Sequence, residues 1–137
     1  MHFLDISQSF GEISGLIVHS HEENALSHLF DPVVPAHHFI EWARTQNLTI
    51  AIINNIFIEP RARGGGAGRK LIDGFATGAM AKGATLLMLV ATRLESELPS
   101  SAINHWYIAC GFELFGEAED GAVMIKSVSN PLIATAA

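Results

Sequence analysis

The 137-residue sequence lacks several features that define whole classes of protein. Cys110 is its only cysteine, so the chain has no second thiol for an internal disulfide and is not a disulfide-stabilised scaffold. Only 16% of the residues are charged and 49% are hydrophobic, which is the reverse of a disordered composition. The densest apolar run, residues 85–91, has the length of a strand and falls well short of the roughly 18 to 20 residues of a membrane-spanning helix. A folded domain with a hydrophobic core remains.

The amino terminus and the total charge exclude two further settings. Residues 1–5 contain no basic stretch followed by an apolar segment, so we expect no secretory signal and a reducing, cytoplasmic location. The formal net charge of −6 at pH 7 argues against the broad basic face of a nucleic-acid-binding protein. We therefore expect a single domain over residues 1–137, with residues 129–137 as a tail and with neither nucleic acid nor membrane among its partners.

The distribution of charge is more informative than its sum. Residues 1–48 carry six acidic residues and one basic residue, Arg44. Farther along, four basic residues fall within ten positions; they are Arg61, Arg63, Arg69 and Lys70. This pattern predicts a small anionic ligand at the basic cluster and a cationic partner near the acidic half.

The second half of the chain divides into alternating strands and helices. The patterns of apolar residues predict strands over residues 48–59, 85–91, 112–115 and 122–128, and helices over residues 67–82 and 101–110, with Gly83 ending the first helix. The first strand could also be two short strands that meet at Asn54–Asn55. Strands that alternate with helices indicate an α/β fold whose mixed, twisted sheet is partly parallel and flanked by helices.

The first 48 residues give a weaker pattern, because short apolar runs do not separate the helical from the strand periodicity. Residues 1–6 favour a strand, and residues 10–18 fit either a helix or a strand. Residues 24–30 favour one or two helical turns, and residues 36–44 favour a helix.

A glycine loop, residues 63–68, lies between the first of these strands and the following helix. Its backbone can approach a ligand closely, and the unpaired amides at the helix start form an anion site, for which a diphosphate is a suitable ligand. A P-loop is excluded because Leu71 follows Lys70 where a serine or threonine is required. A dinucleotide-binding fingerprint is excluded because Arg69 or Leu71 occupies the position of its third glycine. A glycine turn without a ligand is the remaining structural alternative.

Residues 58–71, Ile-Glu-Pro-Arg-Ala-Arg-Gly-Gly-Gly-Ala-Gly-Arg-Lys-Leu, resemble the acetyl-CoA signature of the GNAT superfamily of N-acetyltransferases. The core of that signature is Arg or Gln, two residues, Gly, one residue, then Gly or Ala; Arg63, Gly66 and Gly68 occupy these places. A second match lies downstream, where residues 105–113 resemble the aromatic-Tyr segment, followed three residues later by Gly-Phe, that ends the last helix of the family. The resemblance covers residues 48–128 and implies a GNAT-like domain with an abbreviated N-terminal half, unless a partner subunit completes that half.

The resemblance also implies the site residues. Acetyl-CoA would be the acyl donor, with its diphosphate on the loop and its pantetheine arm between two splayed parallel strands. Near Ile58, a backbone N–H would face the thioester oxygen and stabilise the oxyanion that forms when an amine attacks. The implied contacts are Ile56, Ile58, Arg61, Arg63, Gly64, Gly65, Gly66, Ala67, Gly68 and Arg69; for Arg61 and Arg69, ordinary solvated charge is an equal alternative.

Tyr107 matches the general acid of the family, which protonates the departing thiolate. A phenol suits this role because its pKa lies near that of the leaving thiol. The alternative for Tyr107 is a tyrosine packed in the core. No base can be identified, and Glu59 fits a solvated or structural position. The acceptor amine could instead lose its proton to water, with Glu95, Glu97, His105 or one of the N-terminal histidines assisting.

The histidines of the first half and the single cysteine favour roles outside the chemistry of the site. The early histidines, which are His19, His21, His28, His37 and His38, have no recognised metal-ligand spacing, so we expect no metal. Cys110 favours a small buried filler.

The sequence therefore predicts an N-acetyltransferase that moves an acetyl group directly from acetyl-CoA to a primary amine of a small cationic molecule or a protein. The alternative is a non-catalytic GNAT-fold module that binds CoA or a protein partner. Because high apolar content in a small domain often accompanies a buried dimer interface, a homodimer is kept among the expected partners.

Overall fold

The computed structural model describes residues 2–19, 41–62, 64–92, 100–118 and 121–128. The strands are β1 (His2–Gln8), β2 (Gly11–His19), β3 (Thr49–Ile58), β4 (Leu86–Thr92), β5 (Glu113–Ala118) and β6 (Gly121–Ser127), and the longer helices are α1 (Ala67–Ala81) and α2 (Ser100–Ala109). Residues 41–45 are also helical, as predicted, whereas the predictions for residues 24–30 and 36–40 lie outside the described residues. Among the described helices, none has the length and apolar character needed to cross a membrane.

The strands form a six-stranded mixed sheet in the order β1-β2-β3-β4-β6-β5. Among the described strands only the β3–β4 pair is parallel, and the other neighbours are antiparallel. A parallel pair needs a crossover connection, which α1 supplies between β3 and β4. The predicted α/β fold with a partly parallel sheet is therefore confirmed.

Helices cover both faces of the sheet. Helix α1 contacts β1, β2 and β3, whereas α2 contacts β4, β5 and β6. Both helices share one main core, in which Phe75 of α1 and Cys110 and Phe112 beside the end of α2 are buried. On the opposite face, the buried Ala43 of the helical segment 41–45 packs in a second core with Ile50 of β3. Helices α1 and α2 thus lie side by side above the same face, over the two halves of the sheet.

Strand β3 changes its core-facing positions half-way along. Ala51 and Ile53 belong to the main core, and Ile56 and Ile58 pack against that same core. Regular alternation would have continued with odd-numbered residues, so one extra residue must lie between Ile53 and Ile56.

The pairing with β2 locates that extra residue. Ser14 pairs with Asn55 and the next residue of β2, Gly15, pairs with Ile53, which leaves Asn54 outside the register as a β-bulge. One continuous strand with a bulge, rather than two short strands, therefore explains the Asn54–Asn55 irregularity in the sequence.

Helix α1 begins and ends close to the predicted positions. Gly66 precedes its first residue with φ 81°, and the chain leaves it through Lys82, whose N–H donates to the carbonyl of Ala79 at 3.0 Å. Gly83 follows with φ 90°, a left-handed conformation that favours glycine at a helix end.

Two predictions near the ends of the chain are refined. Residues 10–18, which fitted either periodicity, form most of strand β2. The interval left between the predicted strands 112–115 and 122–128 is too long, because β5 extends to Ala118 and β6 begins at Gly121. A register shift between Leu114 and Gly116 lets β5 follow β6 farther than its apolar residues indicated.

Candidate functional site

Strands β3 and β4 separate at their carboxyl ends. They are joined by three residue pairs, the last between Ile52 and Met88. Beyond this pair β3 continues to Ile58 on β2, and β4 continues to Thr92 on β6. Within the described strands no further pair joins β3 to β4. A gap therefore opens in the sheet at the ends of its parallel strands, where ligands bind in open α/β sheets.

The bulge at Asn54 accounts for the start of this gap. It follows the last β3–β4 pair by two residues, and a bulge bends the strand that carries it. Alternate residues of a strand direct their amide and carbonyl groups toward opposite neighbours, so part of the backbone of residues 53–58 faces the gap. An extended ligand chain can add to such an edge as a further strand. Ile56 and Ile58 lie in this segment with their side chains on the α1 face; their backbone contacts to a ligand remain a prediction.

A glycine turn follows at the end of β3. After a short 3-10 helix, Pro60–Ala62, Gly64 and Gly66 adopt φ values of 85° and 81°, and Gly65 between them does not have a positive φ. Alternation of this kind directs successive amides to one side and forms an anion-binding concavity. An added Cβ at Gly64 or Gly66 would meet no atom within 4 Å, so the turn is open above both residues. Arg63 lies outside the described residues.

The start of α1 completes this concavity. Its first helical hydrogen bond joins the Lys70 N–H to the Gly66 carbonyl at 3.1 Å. The amides of Ala67, Gly68 and Arg69 precede that bond and have no acceptor within the helix. Unpaired amides and the positive end of the helix dipole favour an anion, so the turn fits the diphosphate predicted from the sequence.

Gly68 has a different reason to be glycine. It is buried, and an added Cβ would lie 2.6 Å from Cζ2 of Trp106 and 2.8 Å from Cδ1 of Ile58. The absence of a side chain therefore lets the start of α1 pack against α2 and β3. This packing reason was missed in the sequence, since nothing local to residue 68 reveals a contact with residue 106.

The two arginines assigned to the site lie in different surroundings. Arg61 is exposed on the 3-10 helix. Arg69 is exposed as well, but its Nη2 donates to the carbonyl of Ala109 at the end of α2, at 2.7 Å. The structure thus gives the Arg69 guanidinium a protein partner, and direct contact of either side chain with a ligand remains a prediction.

Tyr107 lies on α2 within an aromatic cluster. Its ring centroid is 4.9 Å from that of Trp106 and 5.8 Å from that of Phe112, both in edge-on geometry. The ring is half-buried against the main core, and the Tyr107 carbonyl accepts the N–H groups of Cys110 and Phe112 at 3.0 and 3.1 Å. The aromatic side chain is therefore held in place by α2 and by the residues that follow it.

The remaining candidates are placed where the described residues include them. Cys110 is buried in the main core, which confirms its role as a filler. Glu59 and His105 are exposed, whereas Glu95, Glu97 and the histidines at positions 21, 28, 37 and 38 lie outside the described residues. No group of three or more His, Cys, Asp or Glu side chains in the described segments is arranged to hold a metal ion.

Solved structures share the fold of this chain. The anti-CRISPR protein AcrVA5 superposes with a TM-score of 0.56 at 16% identity, over 91% of this chain and 98% of that protein. The PaiA N-acetyltransferase from Thermoplasma acidophilum, crystallised in complex with coenzyme A, gives 0.58 at 14% identity, over 93% of this chain and 62% of that enzyme. The GNAT family N-acetyltransferase YhbS from Escherichia coli, in complex with CoA, gives 0.52 at 12% identity, over 86% and 51%. This chain has the GNAT fold.

The GNAT fold is recognised from similarity of structure, since sequence identity to these proteins is only 12–16%. No protein-family model and no curated protein sequence matches the chain. The resemblance inferred from residues 58–71 and 105–113 is confirmed at the level of the fold. The chain spans nearly all of AcrVA5 but less than two thirds of the two acetyltransferases, so the abbreviated N-terminal half remains a prediction.

Proposed function

We propose that this protein is an acetyl-CoA-dependent N-acetyltransferase that moves an acetyl group directly to a primary amine. The observation that carries the proposal is the early end of the β3–β4 pairing, followed along the chain by the open glycine turn. An extended arm with a diphosphate at one end matches both features. Support also comes from two proteins of the same fold that were crystallised with coenzyme A.

The residues of the glycine turn would hold the diphosphate. The amides of Gly64, Gly66, Ala67 and Gly68 would donate to its oxygens, whereas the Gly65 N–H already donates to the Ala62 carbonyl at 3.4 Å. The two left-handed glycines would allow close approach. The backbone of β3 beyond Ile52 would hold the pantetheine arm along the gap.

The chemical step needs a proton donor and an amine. The nitrogen of the neutral amine attacks the acetyl carbonyl carbon, the carbon–sulfur bond breaks, and the nitrogen loses its extra proton to water. Tyr107 would donate its phenolic proton to the departing thiolate and recover a proton from solvent, so the products are an amide and free CoA. Because Tyr107 belongs to α2, which contacts β4, the donor would approach the gap from the α2 side.

The acceptor is proposed to be cationic. Leu4 and Ile6 of β1, and Ile13 of β2, face the main core, so the alternate residues Asp5 and Glu12 lie on the opposite face of the sheet. Both carboxylates are exposed. They occupy neighbouring rows beside the bulge, since Asp5 pairs with Ser14 and Ser14 with Asn55, whereas Glu12 pairs with Phe57. Negative charge here would raise the local concentration of a protonated amine, which can belong to a small molecule or a protein.

The cofactor site can be tested at Gly64, where a side chain would enter open space. Asp and Asn both tolerate a positive φ, so Gly64→Asp and Gly64→Asn impose similar backbone strain and differ in charge. We expect Gly64→Asp to weaken acetyl-CoA binding by about tenfold or more, because a carboxylate would repel the diphosphate, while Gly64→Asn stays within about threefold of wild type. Calorimetric titration measures both. Equal affinities in the two variants would place the diphosphate elsewhere.

Catalysis is distinguished from simple binding by product release. The wild-type protein is titrated with acetyl-CoA by thermal shift and then assayed for free CoA across a panel of polyamines, amino sugars and lysine peptides. Amine-dependent CoA release supports the enzyme. Tight binding with no release on any amine would instead support the non-catalytic binding module.

A further inference from the structure

The first turn of α1 and the end of α2 are joined at two points. The side chain of Trp106 occupies the space above Gly68, where an added Cβ would lie 2.6 Å from its Cζ2. At the next residue, Arg69, the guanidinium Nη2 donates to the carbonyl of Ala109 at 2.7 Å, across 40 positions of sequence. Two consecutive residues of α1, Gly68 and Arg69, therefore contact α2 on either side of Tyr107 in the sequence.

The position of Arg69 is unfavourable for its own helix. A cation in the first helical turn is opposed by the positive end of the dipole, so Arg69 is not explained by the stability of α1. At the end of α2 the same positive charge is favourable, because the last carbonyls of a helix receive no hydrogen bond from an amide of that helix and carry the negative end of its dipole. Lys126 acts in the same way, since its Nζ donates to the carbonyl of Cys110 at 2.9 Å. Two cations from different elements thus hold two successive carbonyls at the end of α2.

Tyr107 follows the placement of α2. Its half-buried ring makes edge-on contacts with Trp106 and Phe112, and its carbonyl accepts two amides of the chain that leaves the helix. The ring has little freedom to move without the helix. Anything that fixes α2 relative to the glycine turn therefore also fixes Tyr107 relative to that turn.

We infer that Arg69 is a positioning residue, which sets the distance between the diphosphate site and the Tyr107 hydroxyl through its hydrogen bond to Ala109. This inference rests on the proposed function. The diphosphate and the thiol lie at opposite ends of the pantetheine arm of the cosubstrate, so a shift of α2 against α1 moves the acid away from the departing sulfur without disturbing the phosphate contacts. Displacements of about 1 Å at a reacting group cost up to roughly a hundredfold in rate.

The experiment compares Arg69→Met, Arg69→Lys and the charge-loss control Lys82→Met, which removes an exposed cation at the carboxyl end of α1. Arg69→Met should lower kcat by roughly tenfold to a hundredfold with the KM for acetyl-CoA changed by less than about threefold. Arg69→Lys keeps one donor that can reach the Ala109 carbonyl and should recover most of the loss. Lys82→Met should leave both constants within about twofold of wild type.

A double-mutant cycle separates positioning from a general loss of structure. If Arg69 acts through Tyr107, adding Arg69→Met to Tyr107→Phe should lower kcat by no more than about twofold further, since the acid is already absent. A full additional loss in the double variant would show a structural role and overturn the inference. A raised KM with unchanged kcat would also overturn it and would make Arg69 a phosphate ligand.

A second readout needs no turnover. The sequence has two tryptophans, so a Trp42→Phe background leaves Trp106 as the single emitter beside Gly68. Arg69→Met should increase acrylamide quenching of Trp106 by roughly twofold, and Arg69→Lys should not. Unchanged quenching would overturn the inference. If the wild-type protein releases no CoA with any amine, the proposed function fails; if the wild type turns over and Arg69→Met equals it, only the positioning role fails.

Discussion

Strand β3 meets its two neighbours very differently. Pairing with β2 runs from Gly11–Ile58 to His19–Thr49 and is interrupted only by the bulge, whereas pairing with β4 consists of three residue pairs. Each backbone hydrogen bond forgone on the second side costs about 0.5–1.5 kcal/mol net. The β2 side of β3 is therefore paired along the whole strand, whereas within the described strands the β4 side is paired only as far as Ile52.

The largest effect is expected in the core beneath β2, the strand that pairs with the whole of β3. Phe75 is fully buried, and its Cζ would lie 2.9 Å from a Cβ added at Gly15 of β2. Phe75→Ala should lower the free energy of unfolding by about 3–5 kcal/mol, because it removes a buried ring and leaves a cavity. Urea denaturation measures the loss. Phe3→Ala is the matched control, since Phe3 is 74% exposed on β1 and should change stability by no more than about 0.5 kcal/mol. Similar losses in the two variants would contradict the assignment of the core.

On the other side of β3, where the pairing with β4 ends early, Tyr107→Phe should change the rate of the reaction and not the stability of the protein. Removal of the phenolic hydroxyl should lower turnover by roughly tenfold to a thousandfold, while the affinity for acetyl-CoA stays nearly unchanged, because the acid acts only as the thiolate departs. Steady-state kinetics and calorimetric titration test the two parts. Wild-type turnover in this variant would remove the catalytic role from Tyr107.

Gly68 packs against Trp106 of α2 and Ile58 of β3, so an added methyl group at this position tests how closely these elements approach. Gly68→Ala would place a Cβ 2.6 Å from Trp106 and should destabilise the protein by about 1–3 kcal/mol. Gly74→Ala lies on the same helix, where the nearest atom is Cδ1 of Ile6 at 3.8 Å, and should stabilise by about 0.5–1 kcal/mol through helix propensity. Thermal unfolding compares them. A stabilising Gly68→Ala would show that α2 does not pack there.

The smallest effect concerns the acceptor. Glu12→Gln should raise the KM for a cationic amine about two- to fivefold at low salt and have little effect at high salt, because the attraction is a screened interaction between exposed charges. Glu113→Gln removes an exposed carboxylate on β5 and serves as the control. If both variants raise KM equally, the effect belongs to net charge and the acceptor face is elsewhere.

Much of the second half could be predicted, because its signals are local. The apolar run at residues 85–91 became strand β4, and the helical spacing that ends before Gly83 became α1. The Asn54–Asn55 pair interrupts an Ile-rich strand, and the structure places a bulge there. Residues 10–18 stayed ambiguous because their faces are defined only by the strands on either side of them.

The site divides in the same way. Gly64 and Gly66 could be assigned to a turn, because the ability to adopt a left-handed backbone depends on the glycine itself and not on distant contacts. The hydrogen bond of Arg69 could not be foreseen, since its partner is a carbonyl 40 residues away that becomes a neighbour only when α2 packs against α1.

By itself, the sequence determined the order of the later strands and helices, the glycine turn and the placement of an aromatic helix downstream, because periodicity and backbone preference are read within a few residues. Only the tertiary structure decided where the sheet opens, which carbonyl accepts the Arg69 guanidinium and which carboxylates share a face. Those properties depend on strand register and on the approach of distant segments, and folding establishes both only when the whole sheet has assembled.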